Sequence, residues 1–442
     1  MAKGWRKFLS TMLAGVLTAS LLLGATGCGQ RTVGSEGTDK ASKEETKTGG
    51  ANEQAKQEDA GLKPEAGAKL KIWDSEGPEG DWLKEVTKEF ADKYGVGVTY
   101  EPVGHTDAPG KLKTDGPAKL GADVFSAPHD KVGEMVASGL IYPNDVSKAA
   151  DFLDAAVQGT SYKDKWYGYP VAIETYGLFY NKDLVKEPPK TFDELISFSK
   201  QFTDVKKSKY GFMMEVGNFY FAYSFMGGFD GYVFGKNGTD KTDIGLSNTG
   251  AVEGFKFHQK LKEILPLNTA DINYDIKKAL FNEGKLAFNM DGPWAVKGHK
   301  DAGVNFGVAP LPLLPNGKHP TSFSGIRAFY VNSYTEYPNA AKLLAQFLTS
   351  KEKLSGRFKS IGQVPPRKDL LDDSSIKGDP ISAAFLEQAQ YAQAMPNIPE
   401  MGSVWTPMGT ALEENWNKGG DPKAILDNAV KTIKDALATQ SK

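Results

Sequence analysis

Five side chains of the 442-residue sequence stand at the ends of strand-like runs or in loops and carry groups suited to ligand chemistry: Asp130, Glu174, Tyr220, Trp294 and Trp405. Asp130 follows the apolar run Asp123-Val124-Phe125, and the space just past a strand's C-terminal end is where open α/β sheets keep their ligands. Glu174 lies in Gly168–Glu187, GYPVAIETYGLFYNKDLVKE, between an alternating run (Tyr169, Val171, Ile173) and a second short apolar run, Gly177 to Tyr180. A carboxylate there is either hydrogen-bonded internally or faces a cleft where ligand and water complete its bonds, because an unpaired buried charge costs several kcal/mol. The cleft is the expectation. Gly292-Pro293 is a turn signal that presents Trp294 at a strand end. Carboxylates accept from hydroxyl groups and aromatic faces take apolar C–H faces, which are the two handles of a sugar ring. Burial in the core is the competing role for each aromatic.

The same carboxylates would serve a glycosidase as acid and base, but carboxylates also bind sugars without cleaving them. The five histidines, at 105, 129, 258, 299 and 319, show no HExxH spacing. No GxSxG elbow or phosphate loop is present, so neither catalysis nor a metal or cofactor is expected. His258 reads as solvated on a charged helix face. A net charge of -2 leaves no basic surplus for nucleic acid.

The elements that must position these groups begin after two N-terminal segments. Lys3, Arg6 and Lys7 precede an apolar run from Phe8 to Leu23 that breaks into small residues, so 1–27 reads as a secretory signal. Cys28, the one cysteine, rules out an internal disulfide. From Gly29 to about Ala68 the composition is too polar to offset its ordering entropy. A disordered tether of about 35 Å mean span is expected there. Leu70 to Trp73, a helix from Asp81 and a strand near 96–100 make a β-α-β unit, the building block of parallel sheets flanked by helices. The remaining length suggests two domains.

Pro170-Val171-Ala172, four residues, then Gly177-Leu178-Phe179-Tyr180-Asn181 with Val185 and Glu187 resembles the signature of the extracellular solute-binding proteins that feed bacterial sugar importers. From about Lys69 onward the chain is most similar to the maltose/maltodextrin-binding proteins. The resemblance implies an α/β fold of two lobes, each a mostly parallel sheet flanked by helices, with the ligand cleft between them. The expected lobes are 69–172 plus 326–368 and 173–325 plus 369–442, with crossings near Glu174, near 323–326 and around 364–373. It implies that Asp130, Lys131 and Glu174 bind sugar hydroxyls, that Tyr220, Trp294 and Trp405 stack on the rings, and that Ser75 and Glu76 lie in the first loop of the site. The Met395-Pro396-Asn397-Ile398-Pro399 run is the most specific of these matches. Ala25-Thr26-Gly27-Cys28 resembles a bacterial lipobox, which implies a lipidated Cys28 and a location on the outer face of the cell membrane. The implied partners are an oligosaccharide of the maltodextrin class and the membrane permease of an ABC importer, with the protein itself a monomer. Ala127, Lys131, Asn218, Thr406 and Gly409 stand where the best-known members carry a tryptophan, an arginine, a glutamate and further polar groups. Lysine lacks arginine's planar fork. A cyclic, branched or galactose-based oligosaccharide therefore stays open beside the linear maltodextrin, as does a lipid-tethered adhesin on the signal and tether alone.

Overall fold

The apolar periodicities resolve into two separate sheets in the computed structural model, which describes residues 61–370 and 372–440. The signal segment 1–27, Cys28 and the tether as far as residue 60 lie outside the described residues. In the first sheet Lys69–Asp74 pairs in parallel with Gly97–Pro102 and Val124–Pro128. Between the first two of these runs the helix Pro78–Tyr94, which buries Trp82, Leu83, Val86 and Phe90 on one face. The helical period places those residues on a single stripe.

The long strand Phe323–Val331 then lies antiparallel between Val124–Pro128 and Tyr169–Glu174, with Gln393–Ala394 parallel to its start. The second sheet orders Phe306–Ala309, Gly177–Asn181, Leu286–Asp291 and Tyr210–Met213. One of its pairings is parallel and two are antiparallel, so this sheet is mixed where mostly parallel strands are expected. The antiparallel members explain themselves. Strands native to a lobe point their C-terminal ends at the cleft, whereas Gly177–Asn181 and Phe323–Val331 each arrive from the other lobe and run away from it.

Each sheet has its own core. Phe179, Phe212, Phe225 and Phe288 belong to one buried cluster, while Ile72, Leu83, Phe90 and Phe329 belong to another. Phe323 packs in the second lobe's cluster, and Phe329 and Val331 of the same strand pack in the first. Leu370 and Ile376 still pack in the first cluster, and Phe385 packs in the second.

Two expectations are corrected here. The chain is already docked by Glu65, whose carboxylate accepts from Asn339 N and Ala340 N at 2.8 and 3.0 Å and so caps the helix Pro338–Leu348. Free helical N–H groups attract a carboxylate, which makes this last stretch of the polar segment part of the fold. His258 is fully buried against Trp416 rather than solvated. Its charged neighbours Lys256 and Lys260 suggest a solvated face, but Phe255 and Ala251, three and seven residues earlier, share its inward face.

Candidate ligand-binding site

The polar side of the site is built where strands of the first sheet end. Val124–Pro128 leads into the short turn His129–Lys131, which leaves Asp130 3% exposed. Its Oδ2 accepts from Trp405 Nε1 at 3.2 Å and lies 3.8 Å from Lys131 Nζ. Lys131 Nζ in turn stands 5.8 Å from the centre of the Trp405 ring, within cation–π range. Trp405 is the first residue of the helix Trp405–Asn417 rather than part of a loop. Asp130, Lys131 and Trp405 are therefore one constellation.

His129 braces that turn from behind. Its Nδ1 accepts from Ile326 N at 3.0 Å, so its Nε2 must donate to Met395 O, also at 3.0 Å. Both bonds need the neutral ring, and burial holds its pKa below the usual histidine range. The residue before Asp130 thus ties the crossing strand to the Met395-Pro396 run that leads to Trp405.

Glu174 ends the crossover strand and is 7% exposed. Its Oε1 has no hydrogen-bond partner among the described residues and lies 3.6 Å from Arg327 Nη1. Arg327 is the hub of a buried network. It donates to Asp74, to Glu79 at 3.2 Å and to Ser75 Oγ at 2.9 Å. Gln363 joins Glu79 to Arg357, and Arg357 stacks over Trp82 at 4.6 Å. Burial pushes the Asp74 carboxyl up, but Arg327, Arg357 and the Ser126 hydroxyl outweigh it and hold it below the usual range. For Glu174 the balance reverses. Burial pushes its carboxyl up to about 7, Arg327 opposing and Glu79 and Asp74 adding to the rise.

Of the two first-loop residues, Ser75 is occupied by Arg327 and by His105, 3.1 Å away, while Glu76 is exposed. Neither is drawn into the Asp130 constellation.

The aromatic side comes from the second lobe. Asn218 caps the helix Phe219–Gly228 by accepting from Tyr220 N, which places Tyr220 in its first turn. The Tyr220 hydroxyl is buried without a hydrogen-bond partner among the described residues, and its ring centre is 6.3 Å from that of Trp294. Burial first, and then the charge of Glu174, holds this phenol well above the usual tyrosine range. Trp294 sits in the short turn Pro293–Ala295 that follows Leu286–Asp291. Its ring lies over Gly292, where a Cβ would come within 2.1 Å of it. Any larger residue at 292 would displace the ring.

That turn is anchored by a pair absent from the sequence-based candidates. Asp291 Oδ1 accepts from Gly292 N at 2.9 Å, and its Oδ2 from Lys277 Nζ at 2.7 Å. Lys277 also donates to Met290 O at 3.0 Å and is fully buried. Beside Trp405 a recess of about 410 Å³ opens between Glu215, Asn218, Thr269 and Gly409.

The missed residues left uneven traces. Arg327 interrupts the apolar run FSGIRAFYV, and a charge inside a buried strand is itself a signal. Lys277 beside Lys278 on a short helix carries no such mark.

Two α/β lobes joined by repeated chain crossings define a two-lobed binding protein. The chain belongs to the family of bacterial extracellular solute-binding proteins, which matches residues 85–384. Members of this family carry their ligand without converting it. Among relatives, the galactooligosaccharide-binding protein of Bacillus subtilis (strain 168) is 35% identical over 381 residues, covering 84% of this chain and 90% of its own. The maltodextrin-binding protein MdxE of the same organism is 33% identical over 333 residues, 74% of this chain and 80% of its own. Among solved structures, a cyclo/maltodextrin-binding protein complexed with maltotetraose is 37% identical, with a TM-score of 0.70 over 87% of this chain and 99% of that one. MalX from Streptococcus pneumoniae in complex with maltopentaose is 31% identical, with a TM-score of 0.78 over 83% and 100%.

Proposed function

We propose that this protein is the extracellular receptor of an ABC importer and binds maltodextrins, linear or cyclic, delivering them to a membrane permease. The observation that carries the reading is the Asp130–Trp405 contact, which sets a hydroxyl acceptor beside an aromatic platform, with Glu174, Tyr220 and Trp294 completing the two sides of the cleft. Carboxylates satisfy ring hydroxyls and the rings cover C–H faces, so each sugar unit finds both kinds of partner. In this reading Lys131 contributes a donor, while Ser75 and Glu76 act at the margin. The lobes divide as 69–172 plus 326–368 and 173–325 plus 369–442, with the helix Ser374–Lys377 packed on the first. Ligand contacts to both lobes favour the closed form, which is the state a permease would recognise.

A second reading is favoured by the relative named for galactooligosaccharides, at 35% identity. A thermal-shift screen over maltotriose, longer dextrins, cyclodextrins and galactobiose separates the two, since a ligand of the native state raises its melting temperature. Stabilisation by dextrins and not by galactobiose is expected, and the reverse ranking would replace the first reading by the second.

The anchor belongs to the same proposal: a monomer held at the outer face of the cell membrane by lipid on Cys28. Cys28→Ser should move the protein from washed membranes to the medium while leaving sugar affinity unchanged. Retention on membranes would overturn the anchor.

A further inference from the structure

The buried network around Arg327 holds more acid than base. Among the described residues, Asp74, Glu79 and Glu174 face only two guanidiniums, those of Arg327 and Arg357, and all five side chains are buried. Such a set carries an excess negative charge unless one carboxyl keeps its proton, and a shared, crowded site favours the proton. The hydrogen bonds say which one. Asp74 Oδ1 accepts from Arg327, Ser126 and Ser75 N, and Glu79 Oε1 accepts from Arg327 and Gln363. Glu174 Oε1 receives no hydrogen bond from any described residue.

We infer that Glu174 enters the sugar complex as a neutral carboxylic acid, donating a hydrogen bond to the ligand where Asp130 accepts one. This rests on the sugar-binding reading above and gives Glu174 a role opposite to that of a second carboxylate. It also suits the ligand, because a sugar hydroxyl both donates and accepts.

The sign follows from the groups that face Glu174. On the first-lobe side these are Arg327, Glu79, Asp74 and Arg357, and across the cleft it is the Tyr220 phenol, which stays neutral. A bound sugar displaces water from the carboxyl and brings no cation, so the charged form loses more than the neutral one. The pKa of Glu174, about 7 in this arrangement, is then higher in the complex than in the open, wetter protein. Binding takes up a proton from solvent. Affinity should rise as pH falls through that range and level off below it, by up to about tenfold for each unit of pKa difference.

Isothermal calorimetry of the protein with maltotriose, and with galactobiose in parallel, tests this in buffers of low and high ionisation enthalpy between about pH 6 and 8.5. The expected result is uptake of a fraction of a proton per sugar near neutral pH, abolished in Glu174→Gln, whose amide cannot titrate. Sugar binding with no proton exchange, with proton release, or with the same uptake in Glu174→Gln would overturn the inference while leaving the receptor reading intact. Binding of neither sugar at any pH would overturn the receptor reading and this inference together. Wild-type proton uptake is informative by itself should Glu174→Gln fail to fold.

Discussion

The two lobes bury charge in opposite ways. In the second lobe Lys277 gives its hydrogen bonds to Asp291 and a backbone carbonyl, with Glu215 farther off at 3.5 Å, and the result is a pinned turn that holds Trp294 over Gly292. In the first lobe Arg327 is shared among Asp74, Glu79, Ser75 and Glu174, and the sharing leaves Glu174 incomplete. A satisfied buried pair fixes geometry, and an unsatisfied one keeps a polar atom ready for a ligand. Both are expensive to form in a dry interior. What differs is whether the last bond is made by the protein or left to the solute.

The largest effect that sharpens this contrast is expected from Arg327→Met. It strands several buried carboxylates at once and should cost about 5 kcal/mol or more, beyond the usual range for breaking one buried pair. Adding Asp74→Asn should not restore the loss, because Glu79 and Glu174 remain. Lys277→Met should cost about 3 to 5 kcal/mol, but there Asp291→Asn should recover most of it. Urea unfolding of the two single and two double variants reads this out, and equal rescue in both lobes would erase the distinction between a network and a pair.

Acid provides the next test. Burial pushes His258 in the second lobe down to about 4, from an ordinary 6.5 in the unfolded chain. A histidine with a depressed pKa leaves the unfolded state binding more protons, so stability is intact above pH 6.5 and falls as pH drops toward 4. The loss amounts to about 3 kcal/mol for this one residue. His258→Phe keeps a ring without the titration and should flatten the acid limb of a stability–pH curve. An unchanged limb would place the acid sensitivity with His299 of the same lobe, which burial pushes to about 4, or with His105 of the first, which burial pushes to about 3.

The smallest expected effects fall on the ligand rather than the fold. Trp405→Ala and Trp294→Ala should each weaken sugar binding by about 1 to 3 kcal/mol, tenfold or more. Both rings are only partly buried, so the melting temperature of the free protein should stay nearly intact. A large loss of apo stability with unchanged affinity would make these rings part of the second lobe's core and move the cleft elsewhere.

Local signals were enough for much of this. Helical periodicity marks the helix from Asp81 to within a few residues of Pro78–Tyr94, because it buries a stripe that its own sequence spells out. Thr191 and Glu194 cap the start of Phe192–Phe202 through bonds that span only a few residues, a start that local sequence alone can specify. Asp130, Glu174 and Trp294 could be singled out because a polar or aromatic group next to a strand end is visible in one dimension.

Tertiary structure decided which of these groups meet and in what state. Asp130 and Trp405 are 275 residues apart and share a hydrogen bond. Glu174 owes its raised pKa first to burial and then to Glu79 and Asp74, with Arg327 opposing, and these three reach it from two strands and a helix far apart in the chain. Ser75 looked available until Arg327 took its hydroxyl. Lys277 and Asp291, fourteen residues apart, prove to be a buried pair. Periodicity reports which face of an element is buried, but desolvation and Coulomb interaction depend on distances between elements, and those exist only once the sheets and helices have packed.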